Sequence, residues 1–374
     1  MKRISDMKKI LFLIHDLGHG GAEKVLVNLV NHLDRSLFDI HVMVLFGGGV
    51  NEQFLKPDIH FHAVYKRNIP ANSKWMKMFT PKQLHKMYVK DHYDIEVSYL
   101  EGPCARIISG CDDKNTKLIS WIHMRYLSEN NIYLSFRSRK EANTVYSKFR
   151  CLVFVSKDVK DAFCNHVSIA NKCIVLYNTV ESEIIKKLSK EHIEIRIKDT
   201  IKLIAVGRLQ EVKRYDRVLH IAKMLKKAGY HCHTYIIGDG PLKDVFQKYI
   251  SENSLEDEVT LLGYDTNPYK YLAACDIFIC SSQTEGFSTA TTEALIVGTP
   301  VCTTDVSGMK EMLGENNEYG IVTENSEEAL YEGIKKLLDN PKLLAHYKKQ
   351  AELRGQMFST KNTVKAVEEM LLFD

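Results

Sequence analysis

Two series of short apolar runs, each closed by a loop and followed by an amphipathic helical pattern, constrain this chain more than any other feature. Lys8–His15 carries a continuous apolar run flanked by charge, as a strand buried on both faces requires. Gly18–Gly21 then opens Ala22–Leu33, with apolar residues at 22, 25, 26, 29, 30 and 33. Strand-like segments follow at Ile40–Phe46, Ile95–Tyr99, Leu118–Ile122, Leu152–Ser156 and Ile174–Tyr177, interleaved with helical patterns. After a charged, lysine-rich stretch at 182–200, which reads as a connection with some helix, the alternation restarts. Ile201–Val206 ends at Gly207, the helix Asp216–Gly229 stops at glycine, and Cys232–Ile237 runs into Gly238-Asp239-Gly240-Pro241. A helix at Leu242–Asn253 precedes strand Val259–Leu262, a short helix near Pro268–Cys275, strand Ile277–Ser281, helix Thr289–Val297, strand Pro300–Thr303 and further helices. The pattern predicts an α/β fold of two Rossmann-like doubly wound domains facing across a cleft, with ligands at the carboxyl ends of the strands.

At 374 residues, 45% of them apolar, the chain is too long for one ordinary core. The expected division is a first domain at 1–183, a second at 184–355, and a C-terminal helix at 356–374 packing back on the first domain. No apolar run approaches the roughly 20 residues of a membrane span. The first residues lack the apolar core and cleavage site of a signal peptide, so the expected location is the cytoplasm. Nine scattered cysteines with no C-x-x-C pair read as buried thiols. His231-Cys232-His233 has no second ligand cluster at zinc-site spacing, so no metal is expected. Residues 1–183 hold 26 Lys and Arg against 19 Asp and Glu, and 184–374 hold 25 against 28. The basic first half suits an anionic partner such as a phospholipid surface or a phosphorylated acceptor, or is simply a solvated basic surface.

The most informative segment is Glu285-Gly286-Phe287-Ser288-Thr289-Ala290-Thr291-Thr292-Glu293, a strand-to-helix junction with two carboxylates. Amides of Phe287, Ser288 and Thr289 at the helix start make an anion site for a diphosphate. A carboxylate accepts two hydroxyls, so the pair can hold both ends of a nucleotide sugar. In the alternative, both are ordinary helix and surface charges. Arg208 and Lys213, just beyond strand Ile201–Val206, can neutralise a pyrophosphate, or belong to a solvated charged loop.

Glu285 and Glu293 form an E-x7-E pattern, Gly207-Arg208-Leu209 with Lys213 a G-R-L…K loop, Gly238-Asp239-Gly240-Pro241 a G-x-G-P turn, and Gly20-Gly21-Ala22-Glu23 a G-G-A-E loop. Together, in this order across nearly the whole chain, they resemble the family-4 retaining glycosyltransferases of GT-B fold. The resemblance implies that Glu285 contacts donor-sugar hydroxyls, Glu293 the ribose, and Arg208 and Lys213 the diphosphate. It implies that Gly20 and Gly21 let backbone approach the donor, and that His123 lies near the donor sugar. Gly286, Phe287, Ser288 and Thr289 would complete the donor contacts, with the base near Gly263 and Tyr264. Asn178 matches a Y-N-G-V turn in which Thr179 replaces glycine. Retention would follow a front-face route without a metal, and Asp112-Asp113 is not a D-x-D motif.

Three rivals remain. A dinucleotide-dependent oxidoreductase would use Gly18-His19-Gly20-Gly21-Ala22-Glu23, but Glu23 stands where a small residue should pack. A non-hydrolysing nucleotide-sugar epimerase and a catalytically silent partner of the same fold are the others. On the acceptor side, Glu101 in Tyr99-Leu100-Glu101-Gly102-Pro103 is the contact candidate. Residues 73–90 interleave lysines with Trp75, Met76, Met78 and Phe79, which fits either an anionic membrane surface or a helix with its apolar face in the core. The expected partners are a nucleotide sugar and a saccharide or lipid-linked acceptor, with no nucleic acid.

Overall fold

The computed structural model describes residues 7–18, 20–67, 75–126, 132–167, 170–193 and 200–373. In the first unit, β1 (Lys8–Ile14) runs parallel between β2 (Phe38–Phe46) and β4 (Ile95–Ser98). Its residues Ile10–Ile14 are fully buried, which is why the run is apolar on both faces. With β3 (His60–Tyr65), β5 (Lys117–Ile122), β6 (Cys151–Phe154) and β7 (Lys172–Val175), the sheet order is β3-β2-β1-β4-β5-β6-β7. Every pair is parallel. The helix Gly21–His32 covers it with Val25, Leu26, Leu29 and Val30.

The second unit repeats the plan with β8 (Ile201–Val206), β9 (Cys232–Ile237), β10 (Val259–Gly263), β11 (Ile277–Cys280), β12 (Val301–Thr304) and β13 (Ile321–Thr323), in the order β10-β9-β8-β11-β12-β13. Leu203, Ala205, Ile236, Ile277 and Ile279 from its strands pack with Val218, Leu219, Ile221 and Ala222 from the helix Tyr215–Lys227. Both sheets are therefore Rossmann-like, with all strand carboxyl ends of a sheet on one edge.

The division falls after Thr179, and the first unit regains the chain from Lys361 onward. Ser182 and Thr360 tie the two ends of the second unit together. The Ser182 amide donates to Thr360 Oγ1 at 2.9 Å, and that hydroxyl donates to the Val180 carbonyl at 2.7 Å. The helix Thr360–Leu372 then joins the first unit, where Lys117 Nζ bonds the Met370 and Leu371 carbonyls. Thr179 is absent from the positive-φ residues, so its turn asks for no glycine, and its carbonyl accepts from Asn28 Nδ2. Asn178 is buried beside it.

Candidate functional site

In the second unit, β8, β9 and β10 end on Gly207, Gly238 and Gly263, all at positive φ. A Cβ on Gly238 would lie 1.9 Å from the Gly207 carbonyl oxygen, so only glycine lets the β9 loop close on the β8 loop. The Leu209 amide donates to the Asp239 carbonyl at 3.0 Å and the Leu242 amide to the Leu209 carbonyl at 3.2 Å. Leu209 is thereby buried and Arg208 exposed at the carboxyl end of the sheet. The Arg208 carbonyl accepts from the Gln210 amide at 2.9 Å, and among the described residues its guanidinium makes no hydrogen bond or ion pair. Gly263 is followed by Tyr264, 72% exposed, an aromatic face open to stacking.

A 3-10 turn at Glu211–Lys213 carries the second cation, and Arg214 in the left-handed region starts the next helix. The Lys213 carbonyl accepts from Ser281 Oγ and the Val212 carbonyl from the Gln283 amide, both at 2.8 Å, which docks the turn on the β11 loop. Lys213 Nζ then reaches Glu285 Oε1 at 2.6 Å, and Ser282 Oγ donates to the same oxygen at 2.6 Å. Burial disfavours the ammonium, but the Glu285 carboxylate outweighs it and holds Lys213 above its ordinary value. Sequence reading missed Ser282; a serine three residues before a candidate carboxylate was the available signal.

The helix Thr289–Val297 begins next to Glu285. Ser288 caps it, Oγ accepting from the Thr291 amide at 3.3 Å and the carbonyl from the Thr292 amide at 3.1 Å. The Thr289 and Ala290 amides precede these bonds and form the donor end of the helix. Phe287 is buried edge-on against Phe358, and the Gly286 carbonyl accepts from Ser307 Oγ. Glu293 is 5% exposed, so it is no surface charge; Tyr269 Oη donates to its Oε1 at 3.5 Å.

In the first unit, Gly20 precedes the helix Gly21–His32, and His19 lies outside the described residues. A Cβ on Gly21 would meet nothing within 4 Å, so packing does not explain that glycine. His123 follows β5 with its ring 4.8 Å from that of Tyr99. Burial pushes its imidazole down to about 3, against a weaker backbone interaction with Tyr99. Its Nε2 is buried without a hydrogen-bond partner among the described residues. Glu101, the acceptor-contact candidate, has a buried carboxylate whose Oε1 accepts from the amides of His123 at 2.6 Å and Met124 at 2.8 Å. It fixes the loop that carries His123.

Elsewhere, His233 spends Nδ1 on the Asp257 carbonyl and Nε2 on Thr260 Oγ1, which removes the 231–233 triplet as a ligand set. Asp112 and Asp113 pair with Lys82 and His92. Of residues 73–90, 73 and 74 lie outside the described residues. Met76, Leu84 and Tyr88 are buried and Met78 is 76% exposed. No described helix is long and apolar enough to cross a membrane.

Comparison with known proteins adds the following. A family model described as Glycosyl transferases group 1 matches residues 189–354, and one described as Glycosyltransferase Family 4 matches residues 19–184. Over 361 residues the chain is 30% identical to the N-acetylgalactosamine-N,N'-diacetylbacillosaminyl-diphospho-undecaprenol 4-alpha-N-acetylgalactosaminyltransferase of Campylobacter jejuni, covering 94% of this chain and 96% of that protein. HepE of Anabaena, solved with UDP and glucose, superposes with a TM-score of 0.75 at 19% identity over 98% of this chain and 100% of that one. A glycosyltransferase from Rickettsia africae superposes with a TM-score of 0.79 at 17% identity over 99% and 100%. The two structural likenesses bear on the fold alone.

Proposed function

The chain belongs to the family 4 glycosyltransferases, and from that membership we propose that it moves a hexose or N-acetylhexosamine from a UDP-linked donor to a saccharide or lipid-linked saccharide, with retention, in cell-surface polysaccharide or glycoconjugate synthesis. The observation that carries this reading is the Lys213–Glu285 pair beside the donor end of the helix Thr289–Val297. It sets a cation for the diphosphate against a carboxylate for sugar hydroxyls. The name of the Campylobacter jejuni relative specifies an N-acetylgalactosaminyl group and a diphospho-undecaprenol, and HepE was solved with UDP and glucose, which supports these donor and acceptor classes.

In this reading Arg208, Lys213 and the Thr289 and Ala290 amides receive the diphosphate. Glu285 and the loop Gly286, Phe287, Ser288 hold the sugar, Glu293 the ribose, and Gly263 and Tyr264 the base. In the first unit, Gly20, Gly21 and the neutral His123 contribute donor contacts, and Glu101 positions the His123 loop. The bond between the anomeric carbon and the diphosphate oxygen breaks while the acceptor oxygen attacks the same face, and the acceptor proton passes to the leaving diphosphate. The fixed cations stabilise charge that grows on that group, without a divalent ion. Lys77, Lys86, Lys90 and exposed Met78 of the first unit would meet an anionic membrane on the cytoplasmic side.

A thermal-shift screen of nucleotide sugars tests the reading. A UDP-sugar should raise the melting temperature, by mass action worth about 2.7 kcal/mol at a hundredfold excess over Kd. With that donor and lipid-linked acceptors, product NMR should show the donor's anomeric configuration kept. Failure of every nucleotide sugar to bind, or an inverted product, would overturn the proposal.

A further inference from the structure

Three side chains with metal-binding atoms meet in the first unit outside the site described above. His85 sits on the helix Pro81–Tyr88, Glu96 on β4 and Cys111 just beyond the helix Pro103–Ile108. One ligand atom from each lies within 4.8 Å of the other two. Glu96 is 1% exposed, and among the described residues its carboxylate has one partner, His85 Nε2, at 2.9 and 3.2 Å from the two oxygens. A carboxylate this deep needs hydrogen-bond donors or a cation beside it, and here His85 Nε2 fills that place.

The convergence is built into three separate elements. Thr80 and Gln83 close a capping box that starts the helix of His85, with Pro81 in its first turn. Glu96 is held in register opposite Leu11 on one side and Leu118 on the other. Before Cys111 stands Gly110, where a Cβ would lie 2.0 Å from the Pro81 carbonyl oxygen and 2.8 Å from His85 Cβ. Only glycine lets the turn carrying Cys111 close on His85.

Two chemistries use a thiol, an imidazole and a carboxylate. A nucleophilic relay sets the imidazole between the other two, which then occupy opposite ring nitrogens. Here the sulfur and the carboxylate lie within 4.8 Å of each other, so both gather at one side of the ring, as ligands gather around an ion. We propose that His85, Glu96 and Cys111 bind a zinc ion, with the imidazole nitrogen, a carboxylate oxygen and the Cys111 thiolate at three corners of a tetrahedron and water at the fourth.

Zinc bonds of about 2.0–2.3 Å set neighbouring ligand atoms about 3.3–3.7 Å apart, so the His85–Glu96 contact opens by a few tenths of an ångström on binding. Mixed sulfur, nitrogen and oxygen ligands favour zinc over magnesium or calcium, which take oxygen. The thiolate and the carboxylate neutralise the ion, and the Cys111 thiol proton and the proton His85 Nε2 shares with Glu96 both leave to solvent. His85 and Cys111 are partly exposed, which gives ion and water a route in. Glu96 lies in the amino half of β4, and Cys111 follows a helix that returns from the β4 carboxyl end. The site therefore staples the α-layer, away from the strand-end loops of Glu101 and His123. Asp39, His41 and His60 also cluster, but without a thiol, and each Asp39 oxygen is shared with one histidine.

Cobalt titration of the untagged, metal-stripped full chain tests this. One equivalent should give near-ultraviolet thiolate-to-cobalt charge transfer, lost in Cys111→Ala and kept in His60→Ala. Zinc should raise the melting temperature of the parent chain and leave that of Cys111→Ala unchanged; Cys111 is partly exposed, so this variant should fold. Absence of charge transfer in the parent, or its survival in Cys111→Ala, would overturn the proposal.

Discussion

Lys213 Nζ lies 2.6 Å from Glu285 Oε1, joining the loop after β8 to the loop after β11. In the proposed function a diphosphate and a sugar would compete for these two groups. Removing the lysine strands a largely buried carboxylate and, on the proposed mechanism, removes positive charge from the leaving group. Lys213→Ala and Arg208→Ala should each lower turnover by about 10²–10³-fold or more. Circular dichroism should show both variants folded, and near-parent turnover in either would reject its role.

Glu285 and Glu293 should separate kinetically. A sugar contact near the reacting carbon matters most in the transition state, so Glu285→Gln should chiefly lower kcat. A ribose contact binds ground and transition states alike, so Glu293→Gln should chiefly raise the donor KM, by roughly the ~1.5–3 kcal/mol of a charged hydrogen bond. Because Glu293 is buried beside Tyr269, thermal melts of the same variant are needed: lower stability with donor KM unchanged would make it a packing residue only.

His123 sets a pH dependence of stability. Its folded value of about 3 lies below the free value of 6.5, so between these limits the unfolded chain binds the extra proton. Its contribution is fully present above about 6.5 and is lost as pH falls toward about 3, by up to ~1.4 kcal/mol per pH unit. Denaturant titrations from pH 7 to pH 4 should show a shallower acid loss in His123→Asn than in the parent chain. An identical slope would show that the imidazole is not held neutral.

Glu101→Ala should orphan the amides of His123 and Met124. At ~1–3 kcal/mol for each buried donor, the melting temperature should fall. Turnover at temperatures where the variant stays folded should fall with it, while Glu101→Gln, which keeps an acceptor oxygen, should recover most of both. An acceptor KM raised in Glu101→Gln with stability unchanged would return the residue to acceptor binding.

Chelation should leave turnover per folded molecule unchanged if, as proposed, Arg208 and Lys213 carry the charge work on the diphosphate. Activity abolished by EDTA and restored by magnesium or manganese would overturn this.

The alternation of apolar runs, glycines and amphipathic stretches determined two parallel α/β units, because strand and helix periodicities are local properties of the chain. β3 escaped because it is an edge strand whose His60, Phe61 and His62 are all exposed, which leaves no apolar alternation to read. The carboxylates and cations of the second unit were legible as residue types at strand-end loops and the helix start that follows. Their partners were not. Lys213 and Glu285 are 72 residues apart, and only the parallel order β8-β11 with Ser281 and Gln283 docking the turn brings them into contact. Glu101 was legible only as an acceptor-contact candidate after a strand, and the approach of the β5 loop brings two amides to its carboxylate. Partner choice of this kind is set by which backbones lie close in space, whereas local pattern fixes only which residues reach the same edge.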